Sequence, residues 1–337
     1  MIFDRLLDPD MPAPLVWFVL VWLFAVGACI GSFINVVIYR LPAGLSLLHP
    51  PSRCPACETP IRATDNVPIF GWIWLRGRCR HCRASISARY PAVELLVALL
   101  FLGLAWVELL SPNSQPVEDG QTLAQWWGVY AYHLFLLCSL ICAAFIEYDG
   151  HALPARLTVP TLIVGLGAPM IWPYLRPLSA IGGNPVLDGL VGVAAGAALG
   201  LATRPVWPHQ IGPPQRATFR DPVVILACTG SFLGWQAASG VAAVAAATRL
   251  LAALVGRTVG VIGRVGYVGC VFPAALLWIV AWKPVLEPLP WTGADAGLTT
   301  CLAAVICVLV LSLATRMCRR LPLPLREGRG KGGLPAK

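Results

Sequence analysis

The chain is 337 residues long, 57% hydrophobic and only 12% charged, with a formal net charge of +9 and a mean hydropathy of +0.72. Soluble domains carry about 25% charged residues, so this balance excludes an ordinary water-soluble enzyme and predicts an all-α polytopic membrane protein. The positive residues fall in short connections and in the C-terminal tail instead of on one folded face, which argues against a nucleic-acid partner and for loops that meet membrane lipid.

Residues 1–13 form an acidic leader, with Asp4, Asp8 and Asp10 against Arg5. The run at 14–38 is long enough to cross about 30 Å of hydrocarbon. It lacks the flanking charge and small-residue cleavage site of a removed signal, so it reads as a retained first span. An insert at 39–92 follows, carrying Arg40, Arg53, Arg62, Arg76, Arg78, Arg80, Arg83 and Arg89. Further apolar runs lie near 93–110, 126–146, 157–175, 186–203, 222–242, 243–263, 267–282 and 297–315, inside a bundle at 93–316. That predicts about eight or nine transmembrane helices. The 243–263 run carries Arg249 and Arg257 and has an interfacial amphipathic helix as its alternative.

Charge sets the orientation. The Arg-rich insert predicts a cytoplasmic side, the acidic leader an outer one, and the connection with Glu118 and Asp119 an outer loop. The basic tail at 317–337 is cytoplasmic if the number of spans is odd.

Within the insert, Cys54/Cys57 and Cys79/Cys82 form two C-x-x-C pairs. Paired thiolates at this spacing hold zinc in a polar segment, and four sulfurs leave no open position for water, so the expected metal is structural. A cytoplasmic location keeps these thiols reduced. The remaining cysteines lie in or beside spans and read as small buried apolar groups. His81 reads as a packing or solvent-facing residue between the second pair, and His151 as a neighbour of any carboxylate at the end of the 126–146 span.

The segments GSFINVVIYRLP at 31–42, CPAC at 54–57, NVPIFGWIWLRGRCRHC at 66–82 and SARYPAVELL at 87–96 resemble the amino-terminal half of the type IV prepilin peptidases. The likeness continues through FIEYDGHALPARLTVPTLIVGL at 145–166, DGLVGVAAGAALGL at 188–201 and GSFLGWQA at 230–237. It implies a polytopic aspartic endopeptidase of the bacterial inner membrane that removes the leader from pilin-like or pseudopilin precursors. Many members also methylate the new N-terminus with S-adenosylmethionine, although no glycine-rich nucleotide fingerprint accompanies that activity here.

The family carries two aspartates at cytoplasmic span ends, and this chain departs from both patterns. Aligning LPARLT at 153–158 puts Glu147 at the first aspartate and Asp149 two residues on. In ATFRDPVV at 217–224, Asp221 is the nearest carboxylate to the second; Arg220 replaces a glycine and the following lysine is absent. Two carboxyls sharing one proton supply both the base for water and the acid for the scissile carbonyl. On a continuous helix Glu147 and Asp149 point about 200° apart, so only one would face Asp221. Asp221 has two readings: a catalytic carboxyl, or a cap at a span entrance with Pro222 in the first turn. Three functions therefore stand: leader peptidase, a catalytically inactive homologue that binds pilin-like clients or assembly partners, and a methyltransferase that has lost only the protease pair.

Other features take structural readings. Asp188 reads as a span-start cap, the glycines at 189, 192, 196 and 200 as a face for close helix packing, and Trp126, Trp127, Tyr130 and Tyr132 as an interfacial belt.

Overall fold

A computed structural model describes residues 13–110, 123–176, 184–203, 221–255, 265–281, 306–311 and 313–314. Among them the secondary structure is helical, with two isolated bridges in the insert. Helix α1 is Ala13–Arg40, and the insert that follows contains the short α2, Phe70–Trp74. Helix α3, Arg89–Ala105, runs on through a π-helical turn, Trp106–Leu110, and α4 is Leu123–Tyr148. The remainder is α5 (Ala155–Ile171), α6 (Pro185–Ala202), α7 (Asp221–Val255) and α8 (Tyr267–Ala281). Among the described residues five segments are long and apolar enough to cross a membrane: Pro14–Arg40, Arg89–Leu110, Ala124–Tyr148, Pro185–Ala202 and Asp221–Val255. The leader, the loop with Glu118 and Asp119, Arg220, Arg257 and the basic tail lie outside the described residues, as does most of the 297–315 run.

The boundary between the runs at 222–242 and 243–263 needs correction. The break comes earlier, at Gly234, whose φ of 84° and ψ of 173° interrupt α7. A straight helix would hold Asp221 and Arg249 about 42 Å apart, yet both lie within electrostatic reach of the Glu147 carboxyl. Helix α7 therefore doubles back at Gly234 and returns to the end from which it started. Only glycine takes such a φ without strain.

A turn inside an apolar bundle frees carbonyls that must find donors. Pro169 lacks the N–H that would reach the Gly165 carbonyl, and the break at Gly234 releases those of Ser231 and Phe232. Buried Arg176 donates to the Gly165 oxygen at 2.8 Å, to that of Ser231 at 2.8 Å and to the Pro185 oxygen. The Tyr132 hydroxyl donates to Gly165 and Phe232 at 3.0 and 3.4 Å. One guanidinium thus ties the ends of α5 and α6 to the turn in α7. Tyr132 and Tyr130 are buried inside the bundle, Tyr130 donating to the Phe101 carbonyl, so neither belongs to an interfacial belt.

Close approach fixes the α6–α7 pair. Side chains at Gly192, Gly196 and Gly200 would collide with the α7 backbone at Gly230, Leu226 and Val223. The cap of α6 is Asn184, whose side chain accepts from the amides of Val186 and Leu187. Asp188 lies one turn further in and is buried, so it is not the cap. Helices α4, α7 and α8 share a core that includes Leu137, Leu140, Ile146, Phe232, Val241 and Val271.

Candidate active site and metal centre

The metal centre is built from two matching turns. Cys54 N–H donates to the Thr59 carbonyl and Glu58 N–H to Cys54; Cys79 N–H donates to Ala84 and Arg83 N–H to Cys79. Glu58 and Arg83, each directly after the second cysteine of a pair, take positive φ of 55° and 59° and close their loops. The four Sγ atoms lie within 4.8 Å of one another, and Cys54 and Cys82 are 3.8 Å apart. A tetrahedron with Zn–S bonds of 2.3 Å has edges of about 3.8 Å, so the site fits zinc after slight contraction of its longer edges.

Charge favours the same ion. The Thr59 hydroxyl and amide bring the Cys57 thiol down to about 6, and the amides of Cys82 and His81 lower Cys79. The Ala84 amide favours the Cys82 thiolate, but burial and the three neighbouring thiols push it up to about 11. Four thiolates do not coexist at this spacing without a cation, and a divalent metal supplies it. His81 is exposed and outside the cluster.

The carboxylates gather at the opposite end of α4 from its N-terminus. Helix α4 closes with Gly150 at φ 78°, His151 N–H bonded to the Ile146 carbonyl and Gly150 N–H to that of Glu147. This is a Schellman cap that leaves Glu147 on the last turn and Asp149 at the C-cap. The two side chains go to different partners. Asp149 accepts from the two terminal guanidinium nitrogens of Arg89, at 2.6 and 2.8 Å, and that guanidinium lies 4.9 Å over the Phe145 ring. Glu147 reaches the start of α8, accepting from the Gly269 amide at 2.9 Å and the Val268 amide at 3.3 Å. An anionic side chain there meets the positive end of the helix dipole. A side chain at Gly266 would run into the Glu147 carboxyl.

Asp221 opens α7 and is buried, and its Oδ1 accepts the Leu153 amide at 3.4 Å from the α4–α5 connection. Asp221 and Glu147 lie within electrostatic reach of each other. Arg249, returned to this end by the turn at Gly234, is buried and also acts on Glu147. Among the described residues the site thus comprises two carboxyls, one buried guanidinium and the amide end of α8. His151 is exposed, and among the described residues its side chain has no hydrogen bond.

Comparison with known proteins now adds to this geometry. Residues 25–108 match the family described as the Bacterial Peptidase A24 N-terminal domain. The prepilin leader peptidase/N-methyltransferase of Aeromonas hydrophila is 35% identical over 272 residues, 74% of this chain and 81% of that protein. The chain belongs to the prepilin leader peptidase/N-methyltransferase family. Another member, from Myxococcus xanthus, is 33% identical over 73% of this chain and 65% of its own. A type 4 prepilin-like proteins leader peptide-processing enzyme from Escherichia coli is 34% identical over 68% of this chain and 82% of its own. No solved structure matches the chain.

Three residues at this prepilin peptidase family site, Arg89, Arg249 and Gly266, carry no catalytic signature in the sequence. In the sequence Arg89 reads as insert charge that sets orientation, and Arg249 as the ground for an interfacial alternative to the 243–263 span. An ionisable residue inside an apolar run is itself a signal of function, and that signal marks Arg249. Nothing local marks Gly266, because its importance lies in a contact with a distant helix.

Proposed function

We propose that the protein is a membrane aspartic endopeptidase that removes the leader from type IV prepilin-like or pseudopilin precursors, with Glu147 and Asp221 as its carboxyl pair. The carrying observation is their convergence from the end of α4 and the start of α7, beside Arg249. Asp149, held by Arg89, positions the α4–α5 connection that donates to Asp221. In this reading one carboxylate takes a proton from water as its oxygen attacks the scissile carbonyl carbon, while the protonated partner gives its proton to the carbonyl oxygen. The C–N bond then breaks, a proton passes to the leaving amine, and the pair again holds one proton. The names of the relatives support the substrate class. The Arg-rich insert supports an inner-membrane protein with this end in the cytoplasm.

Methylation of the new terminal amine is the second activity that the relatives' names support. The glycines at the start of α8 leave the space that the Glu147 carboxyl fills, and no methyl-transfer step follows from them.

One observation favours the inactive, client-binding homologue: the Glu147 carboxylate already accepts two amides, as a structural cap would. Co-expression with prepilin-like precursors separates the two readings, with leader removal followed by gel shift. Glu147→Gln and Asp221→Asn are expected to lower cleavage at least about 100-fold, with Asp149→Asn milder. Failure of the unsubstituted, zinc-loaded protein to cut any precursor would establish the client-binding reading.

A further inference from the structure

We propose that α2 is an interfacial anchor that seats the metal-binding insert on the anionic leaflet of the bilayer. Its residues at helical spacing, Phe70, Ile73 and Trp74, share one face and are 64%, 57% and 82% exposed. The other side packs inward: the Trp72 indole donates to the Ile86 carbonyl, and Gly71 lies against the Asp65 backbone. Three large apolar groups on one unpartnered face is an expensive arrangement in water.

The height of that face is fixed by Glu94. Its Oε2 accepts the Ile69 amide at 2.6 Å. Glu94 lies five residues into α3, about 7.5 Å along the axis from Arg89, and α3 with its π turn forms a membrane span. The start of α2 is therefore level with the first turns of a span, where headgroups meet hydrocarbon. Exposed Tyr39 in the last turn of α1 and exposed Tyr90 in the first turn of α3 mark the same level. Aromatic rings concentrate at that boundary.

The backbone is bent to reach it. Ile69 has φ 64° and ψ −56°, and Phe70 N–H donates to the Pro68 carbonyl at 2.6 Å, a tight γ-turn that a β-branched residue adopts only under strain. Glu94 holds this turn and so aims α2.

The chemistry at the rim selects the occupant. A shallow cleft of about 320 Å³ is lined by Trp74, Leu75, Arg76, Arg80 and Arg83. Arg80 is engaged by Asp65 through two hydrogen bonds of 2.8 and 2.5 Å. Arg76 and Arg83 are exposed and, among the described residues, make no ion pair. Between α1 and α3 the insert carries six arginines, Arg53, Arg62, Arg76, Arg78, Arg80 and Arg83, against Glu58 and Asp65. An apolar wedge rimmed by guanidinium groups, tethered at both ends to spans, fits phosphodiester headgroups over acyl chains.

The test uses the full-length protein in vesicles and does not depend on peptidase activity. A benzophenone amino acid replaces Trp74, Ile73 or, as control, the exposed Glu58, and photoadducts are identified by mass in phosphatidylglycerol-containing and in pure phosphatidylcholine vesicles. Bound zinc is measured for each variant, so that Ile73 serves if Trp74 proves necessary for folding. We expect phospholipid adducts at 73 and 74 and few at 58, with yields falling roughly fivefold for each of Arg76→Ala and Arg83→Ala in the anionic vesicles. Equal lipid labelling at 74 and 58 in the zinc-loaded protein overturns the proposal. So does capture of an added prepilin-like precursor in place of lipid, which would make α2 a protein-docking face.

Discussion

Glu147 shows how one methylene changes the demands on its surroundings. The longer side chain lets the carboxyl reach the amides of Val268 and Gly269, and a glycine at 266 leaves the space it fills. Gly266→Ala inserts a methyl into that carboxyl. The expected loss is about 1–3 kcal/mol, read as a lower midpoint of thermal unfolding in detergent, with a fall in any leader cleavage. Glu147→Asp should keep the charge yet withdraw the carboxylate from α8 by more than 1 Å, a displacement worth on the order of 100-fold in rate; cleavage kinetics at saturating precursor measure it. Asp149 depends on its fork with Arg89. Arg89→Lys retains the charge but not the two parallel bonds, and the partial exposure of this pair limits the effect to about 1 kcal/mol or less. A double-mutant cycle with Asp149→Asn in thermal unfolding isolates that coupling.

Helix α7 carries the largest difference between sequence and structure. The apolar run from 221 to 255 has no polar break at its turn. Hydropathy could not locate the turn because its carbonyls are satisfied by residues distant in the chain, Arg176 and Tyr132. For the same reason Tyr132 looked interfacial and is buried. What was legible was local: the C-x-x-C pairs, the starts of most spans and the small face of α6 rest on spacing within a few residues. The destinations of Glu147 and Asp149 were not, since each is decided by another helix. Arg176→Ala should leave the Ser231 and Pro185 carbonyls short of donors, Gly165 keeping that of Tyr132, and cost on the order of 3 kcal/mol. Unfolding in detergent measures it, and Arg176→Lys should recover only part, because a single ammonium cannot copy the planar fork.

The four-cysteine insert, with zinc in its candidate site, and the bundle rely on different physics and should come apart separately. Zinc contributes on the order of 10 kcal/mol to folding segments of this kind, whereas the spans rely on packing and satisfied backbone. A strong chelator is expected to open the insert to trypsin at Arg76, Arg78, Arg80 and Arg83 while the far-ultraviolet helical signal stays nearly unchanged. Acid should do the same, since protons compete with the metal for the four thiolates and affinity falls as pH drops. Loss of most helical signal on chelation would instead show that the insert holds the bundle together.

The guanidinium of Arg176 constrains how the molecule can move. Because one side chain grips α5, α6 and the bend of α7 together, those three cannot part at that end without stranding several carbonyls in hydrocarbon. Separation of α5 from the close-packed α6–α7 pair is cheaper at the far end, where Glu147 and Asp221 sit. The helices are hinged like the sticks of a fan, with the rivet at the end away from the carboxylates. A precursor helix sliding in from the lipid would have to spread them at the edge where the carboxylates wait.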